Sequence, residues 1–146
     1  MQEKIIAKIL LVDDEEEFIN VLTQRLEVRG LKVTSAIRGQ DAVDLIGNQS
    51  FDIIVLDLAM PGMDGLETLK KIKEKDADAE IVMLSGQGSI KSGVEAMKLG
   101  AEDFLEKPVD LNDLLKRIEE ARERRILVLQ KKAKKEIGEI LQRKSW

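Results

Sequence analysis

The feature that most constrains this chain is a fivefold alternation of short apolar runs with segments whose apolar residues recur at helical spacing. Residues 9–12 form the first run, and Phe18, Val21, Leu22 and Leu26 then share one stripe that closes at Arg29 and Gly30. A second, more polar strand is predicted over 31–36, and a second helix over 40–46, ended by Gly47 and Asn48. The central run, Ile53, Ile54, Val55 and Leu56, is apolar throughout and mostly β-branched, as suits a strand covered on both faces. A helix over 66–75, a strand over 80–84, a helix over 90–99 with Gly100 as its C′ residue, and a short strand over 103–106 complete the alternation. Asp110 or Asn112 is placed to cap a last helix.

Strands and helices in this order predict an α/β fold: a doubly wound, five-stranded parallel sheet with right-handed crossovers and helices on both faces. The two common strand orders for such a sheet are 2-1-3-4-5 and a Rossmann-like order. After the first strand the chain reads Asp13-Asp14-Glu15-Glu16-Glu17, with no glycine, and would repel a dinucleotide's pyrophosphate. No Gly-rich loop ending in Lys-Ser or Lys-Thr is present either.

Composition then removes whole classes of chemistry. The 146 residues contain no Cys, which excludes disulfides, thiolate nucleophiles and Cys-based metal sites. They also contain no His, so the usual general base, the commonest transition-metal ligand and phosphorylation of a histidine on this chain are all absent. Phosphate chemistry here must therefore be carried by an Asp. Aromatic residues make up only 3%, too few for base-stacking platforms, and no direct nucleic acid binding is predicted. The apolar stretch near the start is interrupted by Lys8, followed by acids and lacks a small-residue cleavage site, so it reads as a strand. No stretch approaches transmembrane length, no membrane association is predicted, and the expected location is cytoplasmic.

Charged side chains collect where the strands end. Asp13 and Asp14 close the first, Asp57 the third, Ser85 the fourth and Lys107 the fifth, and in a parallel sheet all of these share one edge, where ligands bind. Taken singly, Asp13 and Asp14 also read as helix caps, Asp57 as a strand-end cap, and Ser85 or Lys107 as surface polarity. Taken together, three carboxylates would repel one another and call for a hard cation, and Mg²⁺ with its preference for oxygen ligands fits. One carboxylate is then available as a nucleophile toward phosphorus, with a hydroxyl and an ammonium to receive phosphoryl oxygens. A metal phosphatase with an Asp nucleophile would want a second acid two residues after Asp57, and Ala59 stands there.

The chain resembles the receiver domain of bacterial two-component response regulators. The resemblance rests on Leu11-Val12-Asp13-Asp14-Glu15, on Asp57-Leu58-Ala59-Met60-Pro61-Gly62-Met63-Asp64-Gly65, on Ser85-Gly86, and on residues 93–108, which end in Phe104-Leu105-Glu106-Lys107-Pro108. It implies a flavodoxin-like sheet of order 2-1-3-4-5, a receiver domain over residues 1–121, and a phosphoacceptor that assists its own phosphoryl transfer and dephosphorylation instead of acting as an enzyme. It implies that Asp57 takes phosphate from a histidine kinase or phosphotransfer protein. Mg²⁺ is implied to be held by Asp14, Asp57 and the Ala59 backbone carbonyl, with Asp13 acting through water. Ser85 and Lys107 would contact the phosphoryl group, Ser85 and Phe104 would form the switch, and the Lys107–Pro108 peptide would be cis. Phe104 also reads as a core aromatic, and Lys107-Pro108 as a simple strand terminator. Departures are mild: Ser85 stands where Thr is also common, and Ala59 and Gln87 occupy positions that flank the approach of hydrolytic water. An alternative within the same family is a receiver fragment of a larger transcriptional regulator.

Residues 122–146 are expected to extend the last helix. From 111 to 144 there is no Pro and only Gly138, so a single helix of about 34 residues, roughly 50 Å long, is predicted. Residues 116–144 carry 11 basic and 5 acidic side chains, a net of +6, so the remainder must hold −10 to reach the total of −4. Leu115, Ile118, Arg122, Ile126, Leu129, Ala133, Ile137 and Ile140 follow the 11-residue repeat of a straight or slightly right-handed coiled coil, with only Arg122 breaking the apolar stripe. The flanking Lys131, Lys132, Lys134 and Lys135 would solvate the outer faces or meet an acidic surface such as another subunit's body. The expectation is a homodimer or partner contact through this helix, projecting beyond about Arg122.

Overall fold

The computed structural model describes residues 7–60, 63–86 and 90–143. Pro61 and Gly62, part of the motif that follows Asp57, and Gln87, which the resemblance places near the approach of hydrolytic water, lie outside the described residues, as does Lys144. The strands are β1 Lys8–Val12, β2 Lys32–Ala36, β3 Ile53–Asp57, β4 Ile81–Ser85 and β5 Asp103–Glu106. The helices are α1 Glu16–Val28, α2 Gly39–Asn48, α3 Gly65–Lys75, α4 Ile90–Lys98 and α5 Leu111–Arg143. All strand pairs are parallel, in the order β2-β1-β3-β4-β5.

Two cores follow from the two faces of this sheet. Alternate strand residues point to opposite faces, so Leu10, Val12, Ile54, Leu56, Ile81 and Met83 pack beneath α2, α3 and α4. Ile9, Leu11, Ile53, Val55, Val82 and Leu84 pack beneath α1 and α5. This division is what right-handed crossovers require. The path from β1 to β2 runs one way along the sheet and the later crossovers run the other way, which puts α1 on one face and α2, α3 and α4 on the opposite one. β1, β3 and β4 are covered on both sides and read as unbroken apolar runs, whereas β2 is an edge strand whose only buried residue is Ala36.

One expectation about a helix face changes. In α1 the buried residues are Ile19, Leu22 and Leu26, so Leu22 and Leu26 face inward as predicted, while Val21 is 51% exposed and Ile19 joins the stripe instead. Phe18 packs only partly against the core. At the other end, Gly100 ends the α4 segment with φ +107°, the left-handed conformation expected of a C′ glycine.

The last helix is single and spans 33 residues, capped by Asp110, whose Oδ1 accepts the Asp113 N–H at 3.1 Å. Leu114, Ile118 and Ala121 bury its first half against the sheet. It then stays against the body longer than predicted. Arg124 Nε lies 3.1 Å from the Glu80 carboxylate, Arg125 pairs with Asp76 at 3.6 Å, and Lys132 pairs with Asp78. Only from Leu129 to Arg143 is every residue of the helix largely exposed, and there Lys132 still meets an acidic turn of its own chain. Among the described residues no helix is long and apolar enough to cross a membrane.

Candidate functional site

The crevice forms where the chain leaves adjacent strands β1 and β3 in opposite directions along the sheet, the place at which open α/β sheets bind ligands. Asp13 follows β1 directly, and its N–H extends the β1–β2 ladder by donating to the Ala36 carbonyl at 3.1 Å. Its side chain is fully buried. Asp57 is the last residue of β3 and only 3% exposed, with Leu58 N–H tied to the Leu84 carbonyl at 2.8 Å. A Cβ on Gly65 would stand 2.4 Å from the Asp57 carbonyl oxygen, so only glycine lets the start of α3 lie against the end of β3. Asp64 caps that helix, accepting the Glu67 N–H at 2.9 Å.

Three predicted acids meet at this edge. Asp13, Asp14 and Asp57 each place a carboxylate oxygen within 4.8 Å of the others, with Asp14 exposed and the other two buried. Lys107 reaches the same point from the end of β5. Its backbone N–H donates to the Ser85 carbonyl at 2.7 Å, and the Lys107–Pro108 peptide is cis. The Lys107 ammonium lies 2.7 Å from Asp13 Oδ2, 3.4 Å from Glu15 Oε1 and 3.8 Å from Asp57 Oδ2. The centroid of the Phe18 ring is 4.4 Å from it.

These neighbours set the protonation states. Burial, then repulsion from Asp13, raises the Asp57 carboxyl from 3.8 to about 6, although Lys107 and the Ala59 N–H, 3.4 Å from Asp57 Oδ1, pull the other way. For Lys107, burial disfavours the charged form, but the hydrogen bond to Asp13 and the attraction of Asp13, Asp57 and Glu15 outweigh it and raise the ammonium's pKa. A single ammonium among three close carboxylates leaves negative charge uncompensated. An all-oxygen donor set of this kind suits a hard divalent cation, whose charge would favour the ionised Asp57 against both its burial and the repulsion from Asp13.

Ser85 and Phe104 are at the edge without yet joining the cluster. Asp57 pairs in register with Leu84, so Ser85 is one position beyond it on the neighbouring strand. Its buried hydroxyl donates to the Gly86 carbonyl at 2.6 Å. Phe104 is half-buried and packs on the α2–α4 side of the sheet, against Gly93, where a Cβ would sit 3.1 Å from the ring. The sequence reading assigned no site role to Glu15 or Phe18. Their signal was position: both follow Asp13 by less than two helical turns at the start of α1.

The sequence model of the response regulator receiver domain matches residues 9–119, and the chain belongs to that family. It is 39% identical over 127 residues to the C4-dicarboxylate transport transcriptional regulatory protein DctD of Pseudomonas aeruginosa, covering 85% of this chain and 27% of that protein. Among solved structures, a receiver domain protein from Clostridium thermocellum superposes with a TM-score of 0.81 at 31% identity, covering 84% of this chain and 99% of the other. A response regulator from Burkholderia pseudomallei, solved with a phosphorylated aspartic acid, a calcium ion and citrate, gives a TM-score of 0.72 at 33% identity, covering 77% and 66%. The chain spans between about a quarter and a half of the length of the curated relatives it matches.

The raised Asp57 pKa has a consequence for stability. Because the folded value exceeds the unfolded one, the contribution of Asp57 is fully present below pH 3.8 and is lost as pH rises through about 6. At pH 7.5 in a chelating buffer the ionised carboxylate costs up to about 3 kcal/mol. Asp57→Asn is expected to stabilise the metal-free protein at pH 7.5, with the gain shrinking toward pH 5. Urea unfolding at both pH values measures this, and a gain independent of pH would contradict it.

Proposed function

We propose that Asp57 accepts a phosphoryl group from a phosphohistidine on a partner kinase or phosphotransfer protein, and that the domain relays this event as a conformational switch. The observation that carries the reading is a buried carboxylate, Asp57, at the sheet's carboxyl edge with two further carboxylates and one ammonium converging on it. The Burkholderia protein with its phosphorylated aspartic acid and calcium ion supports it. A phosphohistidine donor fits a chain that has no histidine of its own, and the proposed setting for the exchange is the cytoplasm.

In the transfer, an Asp57 carboxylate oxygen attacks phosphorus, the bond from phosphorus to the imidazole nitrogen breaks, and the imidazole keeps the electron pair and takes up a proton. Asp57 must be ionised to attack, and a pKa of about 6 leaves it largely so at neutral pH. Asp13, Asp14, Asp57 and the Ala59 carbonyl would hold Mg²⁺, which when bound offsets the negative charge gathered on the phosphoryl oxygens. Lys107 turns from Asp13 and Glu15 toward a phosphoryl oxygen, a charge-assisted hydrogen bond. The Ser85 hydroxyl exchanges the Gly86 carbonyl for another phosphoryl oxygen, and Phe104 fills the space that this movement opens. Hydrolysis of the acyl phosphate by water resets the switch, so the domain takes part in its own phosphorylation cycle without turning over a separate substrate.

Incubation with Mg²⁺ and acetyl phosphate followed by intact mass tests the reading. The full chain should gain one phosphoryl group and Asp57→Asn none. No gain on the full chain, or an equal gain on both, would contradict it.

The tail supplies a second element of the reading, pairing with a second copy of this chain. Leu129, Ile137 and Ile140 are 53%, 57% and 48% exposed, and with Ala133 they continue one stripe along α5. Arg125, Val128 and Lys132 follow Leu114, Ile118 and Ala121 on the body-facing side, so the stripe lies roughly a quarter turn away from it, at about 100° per residue. An isolated helical segment with this much exposed apolar surface is marginal in water, and pairing would stabilise it. A version ended after Lys132 keeps the ion pairs to the body. Sedimentation should show a dimer for the full chain and a monomer for the shortened one. Monomers in both cases would contradict the pairing.

A further inference from the structure

The Lys107 ammonium has three N–H donors and an unequal set of neighbours. Asp13 Oδ2 takes one donor at 2.7 Å, Glu15 Oε1 is longer at 3.4 Å and belongs to a side chain 66% exposed, and Asp57 Oδ2 at 3.8 Å is beyond hydrogen-bond reach. Phe18, in the first turn of α1, presents its ring 4.4 Å from the ammonium nitrogen. The Lys107 side chain is only 17% exposed, so water does not replace these neighbours freely.

An aromatic face differs from the acids in one respect that matters for phosphoryl transfer. Its quadrupole attracts the cation, yet it offers no lone pair that would compete with a phosphoryl oxygen for a donor. A carboxylate in the same place would hold the ammonium more strongly and release it less readily. A leucine in the same place would exclude water but exert no pull, leaving the ammonium to swing toward the solvated Glu15 carboxylate.

We propose that Phe18 is a positioning residue for phosphoryl transfer, its ring holding the Lys107 ammonium beside Asp57 while leaving a donor available for the incoming group. The proposal rests on the reading of Asp57 as the phosphoacceptor. It adds a contact between the start of α1 and the end of β5, two elements that meet only through the fold.

The test uses the full chain with Phe18→Leu and Phe18→Tyr. In acetyl phosphate and Mg²⁺, Phe18→Leu should be phosphorylated about three- to tenfold more slowly, and Phe18→Tyr should return to within about twofold of the parent. Calorimetric Mg²⁺ affinity should stay within about twofold in both, whereas a general distortion of the site would move it. On the unsubstituted protein, the Lys107 side-chain protons should show an upfield NMR shift from the ring, retained with Tyr and lost with Leu. Equal phosphorylation rates for parent and Phe18→Leu, a Tyr variant as slow as the Leu variant, or no ring-induced shift in the parent would each overturn the proposal. A parent chain that takes no phosphate overturns the phosphoacceptor reading, and the positioning role falls with it.

Discussion

The confinement of three carboxylates and one ammonium at the end of a buried parallel sheet is the constraint on which the rest of this structure depends. Two like charges about 4 Å apart repel by roughly 4 kcal/mol at the effective dielectric found near protein surfaces. The Lys107 ammonium can offset one such interaction fully, and its shortest contact is with Asp13 and not with Asp57. Asp57 is therefore left buried and repelled, with its proton held to about pH 6. A group in that condition is stabilised by whatever supplies positive charge beside it. The fold holds the site in a state that binding improves, a cost that proteins accept at functional positions.

What keeps the charges together is backbone, not side-chain packing. Asp13 and Asp57 sit at the ends of adjacent strands whose ladders continue past them, through Asp13 N–H to Ala36 and Leu58 N–H to Leu84. Lys107 N–H to the Ser85 carbonyl binds β5 to β4 at the same level, and Gly65 lets α3 begin directly against the end of β3. Below this edge the two apolar layers bury Leu10, Ile54 and Met83 on one side and Ile9, Val55 and Leu84 on the other. Each fully buried side chain of this size contributes about 1.5–3 kcal/mol, so the layers far outweigh the repulsion at the edge. The backbones that carry Asp13 and Asp57 cannot move apart without breaking strand pairing.

The sheet and the acid cluster were legible in the chain, for specific reasons. β1, β3 and β4 are covered on both faces and so appear as continuous apolar runs, and parallel topology puts residues that end such runs side by side. Strand order needed the acidic, glycine-free turn after β1 and the family resemblance carried by four separate stretches, because periodicity carries no information about neighbours. The face of α1 was misjudged because Phe18, Val21 and Leu22 satisfy helical spacing as well as Ile19, Leu22 and Leu26 do. Only the placement of α1 against Leu11 and Val55 decides between them. The contacts of Arg124, Arg125 and Lys132 with the body are not encoded locally, since the acids they meet, Glu80, Asp76 and Asp78, lie more than forty residues earlier in the chain. The Ser85 hydroxyl's bond to Gly86, and the ring of Phe18 over Lys107, are matters of rotamer and tertiary approach that no local pattern encodes.

The measurement that bears most directly on this account is calorimetric titration of Mg²⁺ into the protein at pH 6, in two buffers of different ionisation enthalpy. If burial and the charge of Asp13 hold a proton on Asp57, binding of the cation must expel it. The account predicts net release of a substantial fraction of one proton at pH 6, little release at pH 8, and none at either pH for Asp57→Asn. Binding at pH 6 without proton release, or no binding of Mg²⁺ at all, would contradict it.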